Sequence, residues 1–228
     1  MLANVTIAGV ASSIPKKIVT NTELESLVET SDEWITKRTG IRTRHIAVEE
    51  TAVGMATDSA AKALAMSGVP KESIGLIVAC TITGEDLTPS MAGSVQKALD
   101  ISTCTAFDVS AGCTGFIYAL VTAASLMDTL DVETAIVVAS EKMSNYTDWS
   151  DRSTCVLFGD GAGAVVLSAD PAARGAAIED IDLHCDGKFW ELLTVRGGGS
   201  ARPYKLGEPV AEDFFIQMAG RETFKQAT

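Results

Sequence analysis

The 228-residue chain carries five cysteines, Cys80, Cys104, Cys113, Cys155 and Cys185, and one of them stands where chemistry is possible. In AFDVSAGCTGFIYAL (106–120), an apolar run ends in Ser110-Ala111-Gly112, and Cys113 opens a segment with a helical pattern. The small residues around it, Gly112, Thr114 and Gly115, permit a sharp turn and close approach of a substrate. A cysteine at a helix N-terminus lies in the partial positive field of the helix dipole, which favours the thiolate, the nucleophilic form. Backbone N–H groups of the same turn can bind an oxyanion. Together these features suit nucleophilic catalysis. The residues alone leave a second reading open, in which Cys113 packs at a strand–helix turn and does no chemistry.

The other four cysteines read as small buried hydrophobes. No C-x-x-C pair occurs, and His45 and His184 are remote from the cysteines in sequence, so no zinc site is expected. The net charge of −12 and a pI near 4.6 argue against nucleic acid as a partner, because phosphate binding needs a basic field. Residues 5–10 form an apolar stretch too short to span a bilayer, without the basic start of a signal peptide. A cytoplasmic protein without a membrane partner is the expectation.

The elements that must position Cys113 follow from periodicity. Residues 5–10 and 74–80 read as strands, the second a continuous apolar run buried on both faces. Residues 104–109 and 135–139 are further strands. Residues 51–66 and 114–127 read as helices with small faces, since Val53, Ala56, Ala60, Ala63 and Leu64 recur at helical spacing. Such faces let helices approach closely, and a helix buried between layers is expected. Residues 31–37 and 90–99 are also helical, and Asn21 or Thr22 is expected to cap a short helix before them. Alternating strands and helices imply an α/β fold with a largely parallel sheet.

Beyond Cys155 the pattern predicts a strand at 156–158, a tight turn at Gly159-Asp160-Gly161-Ala162-Gly163 and a second strand at 164–167. The glycines resemble part of a dinucleotide fingerprint, but that motif needs a helix after them, and here Ala164-Val165-Val166-Leu167 follows. A strand at 178–184, a flexible loop at 196–203 (RGGGSARP) and a helix at 211–227 complete the reading.

Four segments in order carry a family resemblance: TSDEWITKRTGIRTRHIA (30–47), the segment around Cys113, DRSTCVLFGDGAGAVVL (151–167) and QMAGRETFK (217–225). They resemble β-ketoacyl-acyl carrier protein synthase III, a condensing enzyme of the thiolase fold, across essentially the whole chain. The resemblance implies a thiolase-like layered α/β/α/β/α fold, here the N-terminal half (1–170) plus a connecting region and the start of the second half (171–228). It implies an acyltransferase of fatty-acid synthesis initiation. Acyl-coenzyme A acylates Cys113, and malonyl-acyl carrier protein then loses carbon dioxide and attacks the thioester. No metal or redox cofactor is implied, and a homodimer is.

Carried over by residue, the resemblance assigns Cys113 as the acyl-accepting nucleophile. Trp34 and Arg152 sandwich the adenine of coenzyme A, which suits an indole and a flat guanidinium. Thr30 and Arg38 contact the nucleotide end. Phe158, Leu193, Gly220 and Phe224 line the acyl and pantetheine tunnel. Thr88, before Pro89, stands where the family closes the acyl pocket of the partner subunit, and its small size predicts tolerance for primers bulkier than acetyl. Arg221 and Lys225 are candidates for a basic patch facing the acyl carrier protein. Apart from the resemblance, Trp34 reads as a helix anchor, Phe158 and Phe224 as core, and Arg221 and Lys225 as solvated helix charges.

The family's catalytic histidine and asparagine have no match here, and their positions are expected after Thr228. The sequence therefore reads as a portion of a longer enzyme. Two alternatives stand beside this: a related condensing enzyme of secondary metabolism with a different primer, and a non-catalytic partner subunit or inactive fragment, against which the presence of Cys113 argues.

Overall fold

The structure, a computed structural model, describes residues 5–207 and 212–227. In chain order the strands are β1 Thr6–Ser13, β2 Lys17–Thr20, β3 Thr43–Ile46, β4 Ile74–Cys80, β5 Thr105–Val109, β6 Thr134–Lys142, β7 Asp160–Ser168, β8 Ala176–Ala177, β9 Leu193–Thr194 and β10 Gln217–Met218. The α-helices are α1 Asn21–Leu24, α2 Asp32–Thr39, α3 Ala52–Ser67, α4 Met91–Ala98, α5 Gly115–Thr129, α6 Arg152–Cys155 and α7 Gly220–Ala227. Two compact units result. The first holds the described residues of Met1–Pro15, Ala47–Lys142 and Asp160–Leu183, the second those of Lys16–Ile46, Met143–Gly159 and His184–Thr228. Each is built from three separate stretches of the chain.

The first unit is a six-stranded sheet, ordered β5-β4-β6-β7-β1-β8, with helices on both faces. Alternation along the central strands divides the core in two. Ile77 and Ala79 of β4, Ile136 and Val138 of β6, and Ala164 and Val166 of β7 face α3 and α4. Leu76, Val78 and Cys80, Ala135 and Val137, and Val165 and Leu167 face α5. The alanines of α3 (Ala52, Ala56, Ala60, Ala63) let it lie close to the sheet. A Cβ added at Gly9 of β1 would overlap the carbonyl oxygen of Ala63, so glycine is required at that approach.

The sheet corrects the expectation of a largely parallel arrangement. Only β4–β5 and β4–β6 are parallel, while β6–β7, β7–β1 and β1–β8 are antiparallel. The glycine-rich segment is no turn either. Gly161 and Gly163 lie inside β7, which pairs along its length with β6 and with β1. Residues 156–158 are not a strand, because Val156 is buried beside Leu24 and Ile35 in the second unit. Of the strand expected at 178–184 nothing forms. Pairing with β1 is confined to Ala176 and Ala177, just before it, opposite Ile7 and Thr6.

The second unit packs β2, β3, α1, α2 and α6 around Leu24, Ile35, Cys155 and Val156. Thr20, one residue earlier than expected, caps α1 through a reciprocal pair of hydrogen bonds with Glu23. The helix expected over 211–227 is shorter. Ala211 lies outside the described residues, Glu212–Phe214 form a 3-10 turn, Gln217–Met218 pair with Leu193–Thr194, and α7 follows.

Candidate active site

The strand–turn–helix expected around Cys113 is present in the first unit. β5 ends at Val109, Gly112–Thr114 form a single 3-10 turn, and α5 begins at Gly115. Gly112 has φ +56°, the left-handed region that glycine enters without a steric penalty. The Thr114 hydroxyl donates to the Ala111 carbonyl at 3.2 Å, closing the turn. Cys113 is exposed, whereas Cys80 and Cys155 are buried and Cys104 half-buried. Burial pushes the Cys80 thiol up to about 11, with the charges of Glu141 and Asp108 adding to the effect. Burial raises Cys104 and Cys155 in the same direction. Exposure thus separates Cys113 from three of the other four cysteines, leaving Cys185 as the second exposed thiol.

The turn is tied to its neighbours. The Thr81 N–H donates to the Val109 carbonyl at 3.3 Å, extending the β4–β5 pairing up to the turn. Asp108 accepts from the N–H groups of Met91 (2.7 Å) and Ala92 (2.8 Å), fixing the first turn of α4 to β5. Glu141, near the end of β6, accepts from the Ile82 N–H at 2.9 Å, from the Thr81 hydroxyl at 3.3 Å and from the Thr83 hydroxyl. Burial raises the Glu141 pKa, and these donors act against that shift. Thr88 sits on the exposed segment beyond, next to a fully exposed Leu87, and its peptide bond to Pro89 is cis.

In the second unit, Ser31 caps α2 by accepting from the Trp34 N–H at 3.1 Å. Trp34 packs against the small core cluster, and two guanidinium groups lie over its ring. The Cζ of Arg152 is 4.7 Å and that of Arg38 5.7 Å from the ring centroid. The helix-anchor reading and the stacking reading therefore describe the same side chain. Arg152 also donates to the Glu29 carbonyl at 2.9 Å. A flat base between Trp34 and Arg152 needs about 7 Å, two van der Waals spacings, so Arg152 must swing outward to admit one. The Thr30 hydroxyl oxygen is buried without a hydrogen-bond partner among the described residues.

Leu193 lies on β9 opposite Met218 of β10, and Gly220 opens α7. The Ala219 N–H (2.9 Å) and the Thr223 hydroxyl (3.1 Å) both donate to the Leu192 carbonyl, so Leu193 and Gly220 belong to one local assembly. Phe224 on α7 is 71% exposed and Phe158 is half-buried, so neither is the core residue that composition suggests.

Residues 107–187 match the family model for 3-oxoacyl-[acyl-carrier-protein (ACP)] synthase III. The chain is 44% identical over 223 residues to the β-ketoacyl-[acyl-carrier-protein] synthase III of Oleidesulfovibrio alaskensis, covering 97% of this chain and 68% of that one. The chain belongs to the β-ketoacyl-acyl carrier protein synthase III family. The crystal structure of the 3-oxoacyl-[acyl-carrier-protein] synthase III from Aquifex aeolicus superposes with a TM-score of 0.83 at 41% identity, covering 97% of this chain and 67% of that one. The priming β-ketosynthase of the R1128 polyketide pathway superposes at 0.85 with 32% identity, covering 98% and 65%. The chain thus spans about two thirds of the length of these synthase III relatives. The matched segment 107–187 contains Cys113, Arg152 and Phe158.

Two residues that shape these regions carry no mark in the sequence that sets them apart. Glu141 is one, although an acidic residue near the carboxyl end of a buried strand is where α/β folds place functional groups. Arg44 is another. Its guanidinium is buried and donates to the Asn21 side-chain oxygen (2.9 Å) and to the carbonyls of Val156 (3.0 Å) and Val19 (3.4 Å). Asn21 in turn donates to Asp32 and to the Ile41 carbonyl, both at 2.8 Å, fixing the start of the helix that carries Trp34.

Proposed function

We propose that the protein is the acyltransferase that starts fatty-acid synthesis, with Cys113 as its covalent acceptor. The exposed Cys113 on the 3-10 turn ahead of α5 is the observation that carries this reading, within the established family. The Cys113 sulfur attacks the carbonyl of an acyl-coenzyme A. The carbon–sulfur bond to coenzyme A breaks, and coenzyme A leaves as the thiol with the cysteine's proton. Malonyl-acyl carrier protein then loses carbon dioxide, and the resulting carbanion attacks the acyl carbon. A carbon–carbon bond forms, the bond to the Cys113 sulfur breaks, and the thiol is restored on protonation.

Trp34, Arg38 and Arg152 receive the nucleotide end of coenzyme A in this reading, with the unpartnered Thr30 hydroxyl free to take a polar group. Phe158, Leu193, Gly220 and Phe224 line the path of the pantetheine and acyl chain. Thr88, small and exposed, faces the acyl group across a homodimer and admits primers bulkier than acetyl. Arg221 and Lys225 of α7 offer positive charge to an acidic carrier protein. Residues 171–228 hold the connecting region and the start of the second half of the thiolase fold. The reaction needs no metal, and the enzyme works in the cytoplasm.

The test is formation of β-ketoacyl-acyl carrier protein from malonyl-acyl carrier protein and a panel of acyl-coenzyme A primers. With the enzyme extended to include the expected histidine and asparagine, product from short acyl primers is expected, with turnover beyond acetyl; coenzyme A release without condensation by that enzyme contradicts the reading. The likeness to a priming polyketide synthase favours one second reading, a condensing enzyme of secondary metabolism. A primer profile that excludes the short saturated acyl groups favours that reading instead.

A further inference from the structure

The segment joining β4 to α4, residues 81–90, carries Thr88 between anchors that are nearly all carboxylates. At its start, Glu141 takes the Ile82 N–H at 2.9 Å and the hydroxyls of Thr81 and Thr83, and the Lys142 N–H donates to the Thr83 hydroxyl at 2.8 Å. In its middle, Glu85 accepts the Val53 N–H at 3.1 Å in the first turn of α3. At its end, Asp108 accepts the N–H groups of Met91 and Ala92. Between these anchors Leu87 and Thr88 are exposed. β6 also secures α3 at the same place, since the Ser140 hydroxyl donates to the Ala52 carbonyl at 2.7 Å and the Lys142 ammonium to the Glu50 carbonyl at 3.1 Å.

Of the three carboxylates, Glu141 does the most to fix the segment. Its two oxygens hold three consecutive residues, 81–83, in one conformation, and Thr81 is also bonded to Val109 at the base of the Cys113 turn. A half-buried carboxylate with three donors is costly to replace by an apolar group, because the Ile82 N–H and two hydroxyls then lose their acceptor together. The loss is local. Glu141 sits at the end of β6, beyond the buried stretch of that strand, and the sheet pairing there is made by its backbone.

We propose that Glu141 is a positioning residue for acyl-chain selection: by fixing residues 81–83 it sets where Thr88 stands, and so how long an acyl group the partner subunit's Cys113 accepts. This rests on the proposed reading of Thr88 as closing the acyl pocket of the partner subunit in a homodimer. Without Glu141 the wall loosens and the preference among acyl groups relaxes toward longer chains. Glu141→Gln keeps the shape and one acceptor oxygen but places a donor against Ile82 or the threonines, so its effect is intermediate.

The experiment is a competition. The protein, Glu141→Ala and Glu141→Gln are each incubated with equimolar acetyl- and hexanoyl-coenzyme A, and the two acyl adducts on Cys113 are counted by mass spectrometry. The ratio within one preparation does not depend on how much of a variant has folded. The hexanoyl-to-acetyl ratio is expected to rise about tenfold in Glu141→Ala, the discrimination that about one methylene of pocket wall provides, and by less in Glu141→Gln. An unchanged ratio in an acylated Glu141→Ala overturns the inference and leaves Glu141 a structural residue. Failure of the unaltered protein to acylate Cys113 with either substrate contradicts the proposed function and takes this inference with it.

Discussion

The Cβ that Gly115 lacks would overlap the sulfur of Cys80, so the helix that follows Cys113 rests directly on the end of strand β4. The same added carbon would be an ordinary 3.8 Å from the Cβ of Cys80, which makes the sulfur the main obstacle. Gly115→Ala is therefore expected to destabilise the protein by about 1–3 kcal/mol, as overpacking a fitted core does. Adding Cys80→Ala, which removes the sulfur, is expected to recover much of that loss, a coupling that a double-mutant cycle read by denaturant unfolding measures directly. Additive losses would show that Gly115 is required for another reason.

Arg44 binds three elements of the second unit from a buried position, and its fork of donors is what fits Asn21 and the Val156 carbonyl together. Burial presses its pKa below the ordinary arginine value. Arg44→Lys keeps a charge but loses the fork, and is expected to cost about 1–3 kcal/mol. The unfolding midpoint checks this, and an unshifted midpoint contradicts the account of how the Trp34 helix is held.

The cysteines are expected to separate by exposure. Iodoacetamide at pH 8 should modify Cys113 and Cys185 ahead of Cys104, and Cys80 and Cys155 only on unfolding, a ranking that peptide mapping reads. Cys80 adds a pH effect. Its folded pKa of about 11 lies above the ordinary thiol range, so the folded state holds the proton longer than the unfolded chain does. Its contribution is fully present below that range and is lost as pH rises toward about 11. Stability should therefore fall less steeply over this window in Cys80→Ala than in the unaltered protein, and parallel curves would contradict the assignment.

Arg152 already lies over the Trp34 ring, so under the proposed function the adenine of coenzyme A would take the place of that guanidinium on the ring. Trp34→Ala is expected to raise KM for acyl-coenzyme A about tenfold or more with a smaller change in kcat, since stacking on one base is worth about 1–3 kcal/mol. Trp34→Phe should recover part of the affinity. A kcat effect with unchanged KM would return Trp34 to the role of a helix anchor alone.

What the sequence disclosed followed from local patterns. β4 is an unbroken apolar run, α3 shows alanines at helical spacing, and the glycines around Cys113 mark a turn wherever the rest of the chain goes. The β2–β3 pairing was not legible, because KIVT and TRHI are only four residues each and are separated in sequence by α1 and α2. Val156 looked like a strand residue because burial in the Leu24–Ile35 cluster calls for the same apolar side chains. Gly161 and Gly163 looked like a turn because glycine frequency does not reveal two strand partners. Arg44 and Glu141 were missed for one physical reason. A charged residue in sequence reads as solvated, and only the fold shows which ones are enclosed by donors and acceptors.

The most direct measurement is the intact mass of the protein and of its Cys113→Ser variant after incubation with acetyl-coenzyme A. One acetyl adduct is expected on the unaltered protein and none on the variant, with the adduct mapping to the peptide that holds Cys113. An adduct that persists in Cys113→Ser, or that maps to Cys185, would contradict the assignment of Cys113 as the acyl acceptor.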